Sequence, residues 1–191
     1  METVAASVEY SLESLIADLD IAIANRDLAT RVQDVRSTLE RAVRLNDDLF
    51  PAHFYDPSDT GYARRLAYSD PFGRYTVMVM VWKKGQGTPL HDHNGLWVVE
   101  CVCKGKVRVT NYAHMGEANG IHAFEVQSTG IDAAGSSDFR VSPFEHHILE
   151  NPNEETAVTI HVFGGAMTQC GIYEPVEGGW VRSDKNLVLS A

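Results

Sequence analysis

The chain has 191 residues, of which 44% are hydrophobic and 22% are charged, and its formal net charge is −10. These values suit one globular domain with a substantial core. The negative charge argues against nucleic acid and anionic membranes as partners, since both require a basic surface. A site for an acidic substrate must therefore hold its own local positive charge.

The three cysteines, Cys101, Cys103 and Cys170, are too few for a disulfide framework and indicate a reducing compartment. Two of them fall in one predicted strand, where they are interpreted as small buried hydrophobic residues. Residues 1–12 lack a cationic start followed by an apolar stretch, so they do not resemble a secretory leader. No apolar run reaches membrane-spanning length. We therefore expect a cytoplasmic protein.

The first quarter of the chain, residues 8–50, has a helical pattern. Apolar residues recur there at spacings of three and four, and the polar stretch Asn25–Asp27 divides them into two groups. Ser11, with Ser14, is a candidate cap for the first helix. Pro51 marks the change of texture that follows. Two helices are therefore predicted before the first strand.

From about residue 62 the pattern changes to short strands, separated mostly by Gly, Asn, Asp or Pro. Many short strands at regular spacing predict a sandwich or small barrel. Helices of this length can pack on the outside of the barrel and share its core, so we predict a mainly β single domain over residues 1–191. Its helical region is 1–55 and its barrel is 62–185. The strand candidates are Tyr75–Trp82, Leu96–Cys103, Lys106–Tyr112, Ala123–Gln127, Phe139–Val141, His147–Leu149 and Ala157–Phe163.

The segment from Gly85 to His93 places two imidazoles two residues apart, directly after a predicted strand. Side chains at i and i+2 of a strand lie on the same face, so His91 and His93 can chelate one metal ion. A solvated surface pair has the same pattern, and the pair alone does not decide between the two interpretations.

The wider spacing resembles the first cupin motif, Gly-x5-His-x-His-x4-Glu-x6-Gly. Gly85, His91, His93 and Gly105 keep their places, and Val98 stands at the glutamate position. The resemblance implies a cupin fold, a small β-barrel or jelly roll, with a metal site that lacks its usual carboxylate.

The third histidine follows from the second cupin motif, in which three residues separate a histidine from an asparagine. His147 and Asn151 fit that spacing, and the neighbouring His146 would point to the opposite face of a strand. The implied ligands are thus His91, His93 and His147. Three neutral imidazoles leave a divalent ion its full charge and favour anionic ligands at the open positions, but they suit Fe, Zn, Cu and Ni alike.

A cupin with three histidines and no glutamate is similar to the cysteine dioxygenase family, which includes bacterial thiol dioxygenases. Pro89–His93 matches the family's Pro-x-His-Asp-His signature, and Thr159–Phe163 resembles its Ser-x-His-x-Tyr stretch. Tyr62–Arg64 resembles the Tyr-x-Arg segment that places a polar side chain over the iron. The resemblance extends over roughly residues 12–185.

This resemblance implies Fe(II) at the three histidines and a substrate-binding role for Arg64 and Tyr62. Arg64 would form a charge-assisted pair with a substrate carboxylate. The alternative is a surface cation, since Arg65 is adjacent. His161 takes the place of the histidine that hydrogen-bonds the family's tyrosine, and Thr159 replaces a serine while keeping the hydroxyl.

Three departures from the family bear on function. Phe163 replaces the family's tyrosine, so the phenolic donor beside the substrate is absent and the Ser-His-Tyr relay is in question. Val98 stands where the mammalian enzyme has the cysteine that links to that tyrosine, so no Cys–Tyr crosslink is expected. An arginine of the mercaptopropionate-type members has no evident counterpart after Gly165.

The sequence thus predicts an iron-dependent thiol dioxygenase that converts a small thiol acid, such as cysteine, 3-mercaptopropionate or mercaptosuccinate, to its sulfinate with O₂. Its expected partners are that substrate and O₂, with no nucleic acid or membrane, and the oligomeric state is not predicted. Alternatives remain open. They are a cupin dioxygenase for a non-thiol acid, a non-catalytic metal-binding cupin, and a zinc hydrolase.

Overall fold

The computed structural model of the protein describes residues 10–190, and in that range two α-helices precede eleven β-strands. The segment before residue 10, which carries most of the expectation about a secretory leader, lies outside the described residues. The helices are α1 (Leu12–Ile23) and α2 (Leu28–Leu45), followed by a 3-10 turn at Ala52–Tyr55. The strands are β1 (Ala63–Ser69), β2 (Thr76–Trp82), β3 (Leu90–His91), β4 (Val98–Lys104), β5 (Lys106–Ala118), β6 (Ile121–Ala133), β7 (Ser137–Arg140), β8 (His147–Glu150), β9 (Ala157–Phe163), β10 (Gln169–Val176) and β11 (Gly179–Asn186).

Both helices begin at side-chain caps. Ser11 caps α1, since its hydroxyl oxygen accepts a hydrogen bond from the Ser14 N–H at 3.3 Å. Asp27 caps α2 by accepting from the Thr30 N–H at 2.8 Å, so the predicted polar stretch separates the helices. Each helix buries one apolar stripe, as the spacing predicts. The buried residues are Leu15, Leu19, Ala22, Ile23, Val32, Val35, Leu39, Ala42 and Val43.

Two antiparallel sheets form the rest of the fold. One has the order β1-β2-β9-β4-β7, and the other closes into a ring in the order β10-β11-β6-β5-β8-β3. The first sheet lies between the helices and the barrel interior, so β2 and β9 are buried on both faces. Along β2, Val77 and Val79 pack on the helix side, whereas Met78 and Met80 face the interior. The polar residues of the site project from that interior face.

The structure confirms a mainly β fold with N-terminal helices packed outside a small barrel. Its strands run from residue 63 to residue 186, close to the predicted barrel. β1, β3, β10 and β11 were not among the predicted strands, and β5 and β6 are longer than predicted. Much of β6 and β11 is exposed, so apolar residues do not alternate there. That the chain forms one domain stays a prediction. No helix among residues 10–190 is long and apolar enough to cross a membrane.

The packing of α2 can be tested with one substitution. Leu39 is fully buried between the helices and the first sheet. We expect Leu39→Ala to lower the free energy of unfolding by about 2–5 kcal/mol, because it removes buried contacts and leaves a cavity. Leu45→Ala, in the same helix but 60% exposed, should change it by less than about 0.5 kcal/mol. Urea denaturation of both variants measures the difference, and equal effects would contradict the described packing.

Candidate metal site

Three histidines converge in the barrel interior. The antiparallel register of β3 and β8 places His91 directly opposite His147, and His93 follows just after β3. One potential ligand atom from each residue lies within 4.8 Å of the others, a spacing that could hold a metal ion. The Nε2 atoms of His91 and His147 are 3.2 Å apart. The structure therefore brings together the three histidines that the sequence predicts as ligands.

The environment keeps these imidazoles neutral. His93 and His147 are buried, and desolvation lowers the pKa of His93 to about 3 and that of His147 well below its ordinary value. Burial also lowers the pKa of His91. A neutral imidazole offers a lone pair to a metal, which the protonated ring cannot do. The three rings thus supply three nitrogen donors at neutral pH.

Hydrogen bonds orient the rings. His91 Nδ1 lies 3.1 Å from the Pro89 carbonyl oxygen, so its Nδ1–H donates there and Nε2 is left for the cluster. The backbone N–H of His93 donates to Glu145 Oε2 at 3.0 Å. Among residues 10–190, His93 Nδ1 has no hydrogen-bond partner, although it is buried. This donor set fits a divalent transition metal.

The aspartate between His91 and His93 fastens this segment to the barrel wall. Asp92 is buried and accepts hydrogen bonds from the Gly171 N–H at 2.8 Å, the Tyr173 hydroxyl at 3.1 Å and Arg182 Nε at 3.2 Å. Burial alone would raise its pKa, but the N–H groups of Asn94 and Gly171 and the Arg182 guanidinium lower it, so Asp92 is ionised. The His-x-His segment is thereby fixed to β10 and β11.

The structure separates His146 from the three converging rings. His146 points away from the cluster, and its Nε2 lies 3.3 Å from the Tyr173 hydroxyl. Its ring packs near that of His114, and His114 Nε2 lies 3.0 Å from His122 Nδ1. These outer histidines belong to an aromatic cluster on the barrel wall and do not join the three converging rings.

A buried carboxylate that the sequence reasoning missed lies behind His147. Glu100 is 8% exposed, with Oε2 3.6 Å from His147 Nδ1 and Oε1 3.1 Å from His161 Nδ1. Burial raises its pKa, but these histidines and Arg140 outweigh that effect and hold the pKa well below its usual range. A carboxylate therefore lies beside the converging group, which the sequence-based expectation did not include. The sequence does contain a signal for it, because Glu100 is a lone acidic residue within the apolar strand 96–103, and a buried charge needs partners.

His161 belongs to a chain of hydrogen bonds with a fixed direction. Trp82 Nε1 donates to Thr159 Oγ1 at 2.9 Å, and that oxygen lies 2.7 Å from His161 Nε2. Thr159 Oγ1 has no further hydrogen-bond partner among the described residues, so we assign its proton to the bond with His161 Nε2. His161 therefore carries its proton on Nδ1, the atom that faces Glu100. Phe163 stacks on His161 with a centroid separation of 5.9 Å and contributes no polar group.

Arg64 and Arg65 point to opposite sides of β1. Arg64 is 5% exposed, and its Nη2 donates to the Met167 carbonyl oxygen at 2.5 Å. Arg64 Nε is buried without a hydrogen-bond partner among the described residues. Arg65 donates instead to the Asp56 carbonyl oxygen at 2.6 Å. The alternative of Arg64 as a surface cation is therefore wrong, because its guanidinium is held inside.

A pocket of about 480 Å³, partly open to solvent, adjoins the histidines. Arg64, His91 and His93 are among its polar lining residues. Tyr62 stacks on Trp82 at the wall, with ring centroids 4.4 Å apart. A mostly apolar cavity with a few convergent polar groups is typical of a small-molecule site. Its apolar side chains include Met80, Leu149, Phe163, Met167, Ile172 and Leu187.

The fold and the site together define a small β-barrel protein with a buried three-histidine centre. A family model described as cysteine dioxygenase type I matches residues 6–175. The chain belongs to the cysteine dioxygenase type I family.

Several solved structures share parts of the fold. The TT1209 protein from Thermus thermophilus is 16% identical with a TM-score of 0.47, and the match covers 59% of this chain and 91% of that one. A double-stranded β-helix protein from Klebsiella pneumoniae is 18% identical with a TM-score of 0.46, over 63% and 86%. An oxalate oxidase in complex with glycolate is 17% identical with a TM-score of 0.47, over 63% and 61%. These likenesses are too distant to add to the functional argument.

Proposed function

We propose that this protein is an iron-dependent thiol dioxygenase that oxidises a small thiol-carboxylic acid to its sulfinate with O₂. The observation that supports this most is the convergence of His91, His93 and His147 beside a pocket that also contains the buried Arg64. Membership of the cysteine dioxygenase family supports the class of reaction. Cysteine, 3-mercaptopropionate and mercaptosuccinate are the proposed range of substrates.

The proposed ligands are His91, His93 and His147, whose neutral nitrogens fit a divalent transition metal. We assign the metal as Fe(II) from the family, since imidazole alone does not distinguish iron from zinc. Iron bound there would lower the pKa of a coordinated thiol and supply the redox chemistry with O₂. The electrons that sulfur loses equal those that O₂ gains, so the reaction needs no separate reductant.

The protein's own residues hold the substrate. Arg64 would pair with the substrate carboxylate through Nε, which has no other partner among the described residues. Burial strengthens such a pair because little water screens it. Tyr62, fixed against Trp82, would form the neighbouring wall. Met80 and Phe163 would exclude water from the space between the carboxylate and the sulfur.

A matched set of substrates tests this proposal. The protein is purified without O₂, its metal content is measured, and Fe(II) is restored. O₂ uptake and product mass are then followed with cysteine, 3-mercaptopropionate and mercaptosuccinate, each beside its oxygen analogue: serine, 3-hydroxypropionate and malate. We expect at least one thiol, and no hydroxy acid, to gain two oxygen atoms. An iron-loaded protein that oxidises none of the thiols would contradict the proposal.

Phe163 favours a second candidate. Its ring replaces the phenol of the family, which removes one polar contact from the pocket. The protein would then be a cupin dioxygenase for a non-thiol small acid. O₂ uptake with the oxygen analogues but not with the thiols would support this function over the first.

A further inference from the structure

We propose that Glu100 is a positioning residue of the metal site. Its carboxylate orients His147 for metal binding. It also ends the Thr159–His161 hydrogen-bond chain, at the point where the family has a tyrosine. The inference rests on the metal-binding role proposed for the three histidines. It deepens that role by assigning a function to a residue at a variable position of the first cupin motif.

The strands place Glu100 where it reaches two histidines. Glu100 is two residues beyond Val98 on β4, so both side chains face the barrel interior. The register of β4 and β9 sets Glu100 directly opposite His161. One carboxylate oxygen lies 3.1 Å from His161 Nδ1, and the other lies 3.6 Å from His147 Nδ1. A single buried carboxylate therefore lies between the hydrogen-bond chain and a proposed ligand.

The proton on His161 points toward this carboxylate. Trp82 and Thr159 fix His161 as the Nδ1–H form, as the assigned direction of their hydrogen bonds requires. His161 Nδ1 and Glu100 Oε1 are at contact distance, 3.1 Å apart, but the Nδ1–H bond is not aligned on that oxygen. Glu100 Oε2 is then left to accept from His147.

His147 Nδ1 has two neighbours that favour different tautomers. Arg140 Nε donates to it at 3.1 Å, which favours the proton on Nε2 and blocks the nitrogen that faces His91. Glu100 is an acceptor, so it favours the proton on Nδ1 and leaves the Nε2 lone pair free for a metal. In the structure Arg140 makes the hydrogen bond, and Glu100 Oε2 lies just outside hydrogen-bond distance at 3.6 Å. A proton moved to Nδ1 by metal binding at Nε2 would have Glu100 as its neighbouring acceptor.

The same carboxylate replaces the family's phenol as the partner of His161. Phe163 stacks on His161 and cannot hydrogen-bond to it. In this chain the acceptor for His161 comes from β4 instead of from β9. A carboxylate also places a negative charge beside a ligand histidine, which stabilises a bound cation more than a neutral phenol would.

The decisive variant is Glu100→Gln, which keeps the size of the side chain but removes the charge. A glutamine can also turn its amide N–H toward His147 Nδ1, which favours the wrong tautomer. We expect the affinity for Co²⁺, a spectroscopic substitute for iron, to fall about 10- to 100-fold. Anaerobic titration against a chelator measures it, and the visible absorption of bound Co²⁺ reports the changed coordination.

The matched control is Glu150→Gln on β8, where Glu150 pairs with Arg108 and is half-exposed. Its Co²⁺ affinity should stay within about twofold of the parent. Wild-type affinity in Glu100→Gln, or an equal loss in Glu150→Gln, would overturn the proposal. If Glu100→Gln does not fold, Glu100→Asp decides. It keeps the charge but withdraws the oxygens from His147, and an unchanged affinity would then refute positioning.

This experiment separates Glu100 from the reaction itself, because Co²⁺ binding requires neither a thiol nor O₂. If the wild-type protein oxidises no thiol but Glu100→Gln still weakens Co²⁺ binding, the inference about Glu100 stands and the proposed reaction fails. The melting temperature of the metal-free variant supplies the remaining control. A purely structural role would lower it and leave the affinity of the folded fraction unchanged.

Discussion

Replacing His147 with alanine should abolish tight metal binding and reduce O₂ uptake to below about 1% of the wild-type rate. His147 would supply one of three nitrogen donors, and the structure places it at the centre of the network, opposite His91 and beside Glu100. Disturbing a partner of a ligand already costs about 10- to 100-fold in affinity or activity, so losing a ligand should cost more. Metal content after gel filtration and anaerobic Co²⁺ titration measure the loss.

The adjacent residue supplies a matched control. His146→Ala removes the same side chain one position earlier, just before β8, where its ring contacts Tyr173. It should retain metal and most of the activity. Unchanged metal content in His147→Ala, or equal loss in both variants, would show that His147 is not a ligand. Because His147 is buried, melting of both metal-free variants must show that they are folded.

The local spacing of the sequence predicts the three histidines because cupin motifs encode strand geometry directly. Two histidines two residues apart share a face, and the distance from His147 to Asn151 selects the member of the His146–His147 pair that converges with them. The fold class can be predicted for a similar reason, since apolar residues recur at different spacings in helices and in strands. These features depend on short-range pattern alone.

The contacts that complete the site depend on strands far apart in sequence. Asp92 is fixed by Gly171 and Arg182, which lie on β10 and β11, and neither strand has a clear apolar alternation. The motif does not identify Glu100, because the carboxylate of the cupin pattern aligns with Val98, two residues earlier. Only the register of β4 against β9 shows that Glu100 reaches His161. Long-range register, not residue type, was the missing information.

These contacts also determine the electrostatics of the site. A metal held by three neutral imidazoles keeps its full charge, but Glu100, which also lines the pocket, offsets part of it. On the pocket side, Arg64 is a buried cation that lacks a carboxylate partner among the described residues. A substrate with both a thiolate and a carboxylate would satisfy the metal and Arg64 together.

Arg64→Gln should therefore raise the KM for a carboxylate-bearing thiol about 10- to 100-fold and leave the iron content unchanged. A hydrogen bond to a charged group contributes about 1.5–3 kcal/mol, and each 1.4 kcal/mol corresponds to about tenfold in affinity. Arg64→Lys keeps the charge but loses the planar fork, so an intermediate KM is expected. Steady-state O₂ uptake and iron quantification on the same preparations provide both measurements.

Two controls separate recognition from structural support. Arg65→Lys changes the neighbouring cation, which faces Asp56 instead of the pocket, and should leave KM unchanged. Cysteamine, a thiol with an ammonium group and no carboxylate, should show no rise in KM with Arg64→Gln, since it cannot pair with Arg64. Arg64 also donates to the Met167 carbonyl oxygen, so the variant tests a structural role as well. If iron content falls as much as KM rises, or if cysteamine is affected as strongly as the thiol acid, Arg64 supports the pocket wall and does not bind the carboxylate.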